Sequence, residues 1–315
     1  MNLMSNSDAS VKPTIPVIVG PTAVGKTAVA LDLARRFNLE IISCDSRQIY
    51  KYMNIGTAKP TLEELGGTPY RLIDYVEPSR TYSSVLYRTD AIREIERILD
   101  SGRVPLIVGG TGLYLKAVMV GFFATPDPDE YYRKELEALD TTALYNMLME
   151  IDLQTAKAIP QNNRLRVIRA LEIHKITGQT KTELSSKGDY PPSRYNFEVF
   201  ELNRSREKLY QFINFRVDKM IGDGLIDEVE HLREIGFGQS PVLKQTVGYR
   251  EVIQYLQGEI SRDQCIGLIK QKTRNYAKRQ ITWFRPDPSV VRIDLESETG
   301  LQKLVGELDK LKLDT

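Results

Sequence analysis

Gly20-Pro21-Thr22-Ala23-Val24-Gly25-Lys26-Thr27 fits the pattern G-x-x-x-x-G-K-[ST] in full. Each residue type in it has a job in holding phosphate. Glycines let backbone N–H groups turn inward onto phosphate oxygens, and Lys26 adds a point charge. The following helix adds its N-terminal dipole, and Thr27 offers a hydroxyl to a magnesium ion, Mg2+. By residue frequencies such a match arises by chance in roughly one chain per hundred of this length. The setting is the confirming one, an apolar run before it and a helical pattern after it. An ordinary glycine turn is the plainer alternative, and that setting argues against it. The pattern specifies a phosphate site, without saying which phosphate or whether ATP is hydrolysed.

Further polar residues follow. Asp45-Ser46-Arg47-Gln48 packs an acid, a hydroxyl, a cation and an amide into four residues, and Gly56-Thr57-Ala58-Lys59-Pro60 comes soon after. Asp45 can be a turn former, a base, or a partner for Mg2+. Gly109-Gly110-Thr111-Gly112 is a second glycine-rich turn with a hydroxyl, though paired glycines also serve tight packing. Arg216 shares a helix with Leu209, Ile213, Val217 and Met220. It either snorkels from the apolar stripe or aims at phosphate from the side opposite the P-loop. Two segments are locally basic. Residues 164–175 carry Arg164, Arg166, Arg169 and Lys175, and residues 270–285 carry Lys270, Lys272, Arg274, Lys278, Arg279 and Arg285 with Tyr276, Trp283 and Phe284 interleaved. Cations mixed with aromatics suit nucleic acid, and for either segment taken alone a solvated helix face fits equally well.

The elements that must position these residues read as an α/β fold. IPVIV at 15–19 is a short apolar run ending at Gly20, and LEIISC at 39–44 ends at Asp45. VPLIV at 104–108 runs into the second glycine turn, and NFEVFEL at 196–202 alternates. Helical periodicity fills 27–37 and 84–99, the latter with Ser83 or Ser84 as its cap and Gly102 as its stop. Strand–helix alternation predicts a P-loop NTPase-like parallel sheet flanked by helices, with ligands at the strand ends. Pro and Asp cluster at 124–130 and DYPPSR breaks the pattern at 189–194. Between these breaks only helical periodicity appears. The expected organisation is a core of 14–125 with 193–315, an all-helical insertion domain at 126–192, and a tail at 1–13. Helical stretches at 205–221, 225–235 and 262–285 and a final amphipathic helix complete the core.

Composition bounds the rest. The 315 residues are 41% hydrophobic and 27% charged with a net charge of +1, so a nucleic-acid surface must come from local clustering. Cys44 and Cys265 stand alone, and His174 and His231 make no ligand pair, which argues against zinc and fits a reducing cytosol. The polar N-terminal stretch lacks the apolar region of a secretory signal, and no apolar run is long enough to span a membrane. Nothing suggests more than a monomer.

GPTAVGKT, SCDSRQIY with MNIGTAKP, PLIVGGTGLYLKAV, RLRVIRALEI, RVDKMIGDGLIDEVEHL, QTVGYRE and TRNYAKRQITWFR together resemble the bacterial tRNA dimethylallyltransferases, from about residue 15 to 286. The resemblance implies a P-loop, Gly20 to Thr27, that holds dimethylallyl diphosphate with Mg2+ at Thr27. It makes Asp45 the base for the exocyclic amine of a target adenine, the adenosine 3′ of the anticodon in tRNAs reading U-starting codons. Ser46, Arg47 and Gln48 would line the nucleotide site, and Thr111 and Arg216 would face the substrates. Arg133, the stretch Leu165, Arg166, Val167, Ile168 and Arg169, and the stretch holding Gln245, Gly248, Tyr249 and Arg250 match positions that touch the anticodon stem-loop. Two departures stand out: Asn162-Asn163 where the family usually has Asn-Asp, and no Cys₂His₂ module of the eukaryotic kind. Prenyl transfer to free AMP or ATP is the nearest alternative. A P-loop kinase is a third, but no apolar strand ends in a metal-binding Asp distinct from Asp45.

Overall fold

Six strands form one sheet in the order β3-β2-β4-β1-β5-β6, and every pairing is parallel. They are β1 (Thr14–Val19), β2 (Leu39–Cys44), β3 (Tyr70–Arg71), β4 (Val104–Gly109), β5 (Asn196–Asn203) and β6 (Val291–Asp294). The computed structural model describes residues 12–121, 126, 129–187 and 193–311. Most of the predicted tail and of the breaks at 124–130 and 189–194 therefore lies outside the described residues.

Side-chain alternation divides the core into two layers. Ile15, Val17 and Val19 of β1 face one layer and Ile18 faces the other, as a strand of period two requires. The first layer is closed by α3 (Ser84–Asp100) through Tyr87, Ala91, Ile95 and Ile98, and by α4 (Gly112–Met119) through Tyr114, Leu115 and Val118. Ser83 caps α3, its hydroxyl accepting from the Leu86 N–H. The second layer is closed by α1 (Lys26–Arg36), α10 (Arg206–Gly222), α14 (Arg262–Phe284) and α15 (Gly300–Lys310), the amphipathic helix whose Leu304 and Leu308 are buried. A third cluster joins Ile49, Tyr50 and Met53 to α11 (Leu225–Leu232) and α13 (Tyr249–Leu256). Short α2 (Leu62–Leu65) and α12 (Pro241–Gln245) complete this part.

The chain separates into two compact units, one formed by residues up to Met119 and from Ser193 onward, the other by Val120–Pro192. The second contains α5 (Glu130–Ala138), α6 (Thr141–Ile151), α7 (Leu153–Ala158), α8 (Arg164–Thr177) and α9 (Lys181–Ser186), around Leu136, Leu144, Leu148 and Leu171. Its fully buried carboxylate Glu172 is paired with Arg133 and Arg169, which offsets the cost of burying the charge.

Two strands escape sequence reading for a physical reason. β3 has two residues, and in β6 only Ile293 is buried, so neither displays a period. Among the described residues, no helix is long and apolar enough to cross a membrane.

Candidate functional site

Strand order brings the chemistry together. β2, β4 and β1 are neighbours, and their C-terminal ends lead into Asp45, Gly109–Gly112 and the P-loop. Register seals the junction: Cys44 pairs with Gly109, and the Thr111 N–H donates to the Cys44 carbonyl at 3.2 Å. Gly109 must be glycine, because a Cβ there would lie 2.0 Å from the Cys44 carbonyl oxygen. Gly25 caps α1 at φ 109°, a left-handed conformation that costs glycine little.

Inside the P-loop, the Lys26 ammonium donates to the carbonyls of Gly20 and Pro21, both at 2.9 Å. Burial pushes its pKa down to about 8, while Asp45 pulls it up and Arg216 pushes it down further. Thr27 lies near Tyr70, whose hydroxyl is pushed up by burial and by the nearby Asp45 charge.

Asp45 uses one oxygen as the turn former it resembles in sequence. Its Oδ1 accepts from the N–H groups of Arg47 at 2.8 Å and Gln48 at 3.2 Å. This fixes the carboxylate, and among the described residues nothing hydrogen-bonds its other oxygen. Thr111 supports the same turn, its hydroxyl accepting from the Ser46 N–H at 3.1 Å. Gln48 turns away and donates to the carbonyls of Thr57 and Ala58 at 3.1 and 3.0 Å, holding the 56–60 loop. Arg216 projects from α10 to the P-loop, where it donates to the Thr22 hydroxyl at 3.4 Å. It thus leaves α10 beside the buried Ile213 and Val217 and ends at the loop that carries the phosphate motif. Cys44, at the end of β2, is pushed up to about 12 by burial, which makes it a poor nucleophile.

These groups open onto one cavity of about 720 Å³, whose wall includes Thr22, Lys26, Thr27, Asp45, Arg216 and Gln280. A surface concavity of similar size, about 770 Å³, is lined by Arg233, Lys244 and Arg250 and carries none of the phosphate motif. The first is the candidate site because the phosphate loop and the acid meet there. Its contents suit an anion held by backbone amides and cations beside one free carboxylate oxygen.

Two residues of this framework escape the sequence reading. Gln280 lies between the P-loop and the second glycine turn. Its signal in sequence is a polar residue at a buried position of α14, three residues after Ala277 and four before Phe284. Glu228 borders the Leu225, Val229 and Leu232 stripe of α11. It accepts from the N–H groups of Asn54, Ile55 and Gly56 at 2.9, 2.7 and 3.2 Å, and from the Tyr249 hydroxyl at 2.6 Å. One carboxylate thus holds the loop that Gln48 grips from the other side.

The two stretches expected to touch RNA are unequal in what they expose. Arg133 forms two hydrogen bonds to Glu172 at 2.7 and 2.6 Å, and Arg169 reaches Glu172 at 3.3 Å. Val167 and Ile168 fill the small unit's core, so Leu165 and Arg166 are the surface of that stretch. In the other stretch Tyr249 is fully buried and Gly248 donates to Glu251 at 2.8 Å, while Gln245 is exposed and Arg250 is partly so. Val167, Ile168 and Tyr249 therefore have no side-chain surface to offer a partner and act as supports.

A pH dependence follows from Lys26. Its charged form grips an anion, and a bound anion raises its pKa above the value of about 8 in the free protein. Affinity for inorganic diphosphate should be full below that pH and fall above it, by at most about tenfold per pH unit. Titrating the dissociation constant beside a Lys26→Arg variant, whose guanidinium stays charged, cancels the protonation of diphosphate itself. A flat ratio between the two proteins contradicts the assignment.

Comparison with known proteins identifies the family. The family described as IPP transferase matches residues 48–287. A tRNA dimethylallyltransferase of Carboxydothermus hydrogenoformans is 44% identical over 93% of this chain and 95% of its own. One from Thermotoga petrophila is 43% identical over 95% of this chain and 96% of its own. Among solved structures, a tRNA isopentenylpyrophosphate transferase of Staphylococcus epidermidis matches at 38% identity with a TM-score of 0.70, covering 95% of this chain and 99% of its own. A eukaryotic dimethylallyltransferase acting on tRNA matches at 28% identity with a TM-score of 0.81, covering 96% of this chain and 80% of its own.

Proposed function

This chain belongs to the IPP transferase family and is a tRNA prenyltransferase, and we propose that it moves a dimethylallyl group from dimethylallyl diphosphate to the N6 amine of the adenosine 3′ of the anticodon in tRNAs reading U-starting codons. The observation that carries this reading is the convergence of Lys26, Arg216 and the P-loop on a cavity whose central acid is Asp45. A diphosphate leaving group needs the first three, and a weak amine nucleophile needs the last.

The step balances as a substitution. The allylic C–O bond breaks and its electron pair leaves with diphosphate. The N6 lone pair forms the new C–N bond, and the N6 proton passes to the free oxygen of Asp45. P-loop amides, Lys26 and Arg216 stabilise the charge that develops on the leaving oxygens. Thr111 keeps the Asp45 turn in place through the Ser46 N–H. The target base must leave its stack to reach the cavity, which is easier in a loop than in a duplex.

Mg2+ fits the donor set. Among the described residues there is no cluster of three or more His, Cys, Asp or Glu, so a metal here depends on oxygen donors shared with phosphate and water. Thr27, with Asp45 beside it, is the side chain that would hold the ion, and the ion would supply further neutralisation of the leaving charge.

tRNA is favoured over a free nucleotide by α14. Lys270 pairs with Asp218 and Arg274 donates to Asn214 at 2.7 Å, whereas among the described residues no acid pairs with Lys272, Lys278 or Arg279. A mononucleotide has no use for this row of cations. Lys278→Glu with Arg279→Glu should raise the KM for tRNA and leave that for dimethylallyl diphosphate unchanged. The salt slope should fall by about one unit for each phosphate that the variant no longer neutralises. An unchanged slope would take these residues off the RNA surface.

The test of the reaction class is a product balance. Prenyl diphosphate and tRNA should yield prenylated RNA and inorganic diphosphate in equal amounts, with no phosphate released from ATP. Phosphate release from ATP would support a kinase or switch, and an equal rate on free AMP would support the mononucleotide reading.

A further inference from the structure

We propose that Gln280 is the residue that sets the diphosphate cradle, acting as a positioning group that locks the P-loop to the second glycine turn. The proposal rests on the reading of the cavity as a prenyl diphosphate site.

Gln280 is buried within α14, with 5% of its surface exposed, yet both ends of its amide are used. Its Oε1 accepts from the Thr22 N–H at 2.8 Å, and its Nε2 donates to the Gly110 carbonyl at 2.9 Å. One side chain thus bridges the loops that follow β1 and β4. The fit leaves no slack: a Cβ on Gly110 would lie 2.0 Å from Nε2, so glycine at 110 makes room for this amide. Neighbouring contacts share the same face of the helix. Tyr276, four residues earlier, lies near Thr111, and Trp283, three residues later, lies against Gly112.

The bridge bears on catalysis through Thr22. The Thr22 N–H is committed to Gln280 and so is withheld from phosphate. Its hydroxyl is the acceptor for Arg216 at 3.4 Å. Gln280 therefore orients the residue that receives Arg216, the cation opposite Lys26. Without the bridge, the P-loop and Arg216 lose a shared reference, and displacement of a binding group by about 1 Å can cost on the order of a hundredfold.

Gln280→Met keeps the side chain's bulk and removes both hydrogen bonds. It should lower kcat/KM for dimethylallyl diphosphate by about tenfold to a hundredfold. The inhibition constant of inorganic diphosphate should rise by a similar factor, while the dissociation constant for an anticodon stem-loop stays within about twofold. Equal losses in the donor and RNA constants, or no change in either, would overturn the proposal.

Gln280→Glu gives a second readout that packing alone would not move. A protonated carboxyl offers one acceptor and one donor, as the amide does, whereas the carboxylate opposes the Gly110 carbonyl. Activity relative to wild type should therefore recover as pH falls, and a ratio independent of pH would contradict the assignment. Wild-type protein run in parallel separates the two claims. Failure of wild type to prenylate tRNA would sink the reading of the cavity. Full activity in Gln280→Met beside an active wild type would sink only the role of Gln280.

Discussion

Asp45→Asn should slow the single-turnover prenylation rate by roughly 10²–10⁴-fold while leaving tRNA affinity nearly intact. The amide is the right shape for the turn: its oxygen can still accept from Arg47 and Gln48, which hold the native carboxylate at 2.8 and 3.2 Å. What the variant lacks is an oxygen able to take a full proton from the adenine amine. The alternative role for Asp45, holding Mg2+, makes a different forecast. Loss of a metal partner weakens diphosphate binding, and added Mg2+ restores part of the rate. A slow rate across the whole Mg2+ titration supports the base. Recovery to near the wild-type rate at high Mg2+ would reassign Asp45 to the metal.

Lys26→Ala should reduce kcat/KM for dimethylallyl diphosphate by at least about 10²-fold, the scale expected when one preorganised group facing a leaving oxygen is removed. Lys26 rests on the Gly20 and Pro21 carbonyls, so it is held within the loop that receives the anion. Its loss removes a charge that burial has made costly to keep, and a bound diphosphate is what would offset that cost. Both binding and the rate of bond cleavage should suffer, because the interaction persists as charge builds on the leaving group. The loop's carbonyls lose a donor as well, so far-ultraviolet circular dichroism and the melting temperature should be compared with wild type. A folded variant with unchanged kinetics would remove the P-loop from the mechanism.

The parts of the site visible in sequence are those whose partners are near in the chain. Gly20 to Thr27 is a contiguous loop between a strand and a helix. Its glycines are required by backbone conformation at Gly25 and by crowding at Gly20, where a Cβ would meet the Leu202 carbonyl at 2.5 Å. Asp45 announces itself by following an apolar strand. The parallel sheet is legible for the same reason, since β1, β2 and β4 are nearly continuous apolar runs covered on both faces.

What is illegible depends on distance along the chain. Gln280 meets Thr22 across 258 residues and Glu228 meets Ile55 across 173 residues. Nothing local to either residue says which loop it will hold. A polar group in an apolar helical stripe is the one available clue, and it reports that a partner exists without naming it. Arg133 is a further case: nothing local to it shows that its guanidinium pairs with Glu172, 39 residues away.

If one cavity joins a prenyl diphosphate to an adenosine of tRNA, the product is a single modified nucleoside. Nucleoside mass spectrometry detects it in unmodified tRNA reading a U-starting codon, incubated with the protein, dimethylallyl diphosphate and Mg2+. The expected product is N6-dimethylallyladenosine at the single position 3′ of the anticodon, formed in step with inorganic diphosphate. Unmodified adenosine throughout the tRNA, from protein shown to bind both substrates, would contradict it.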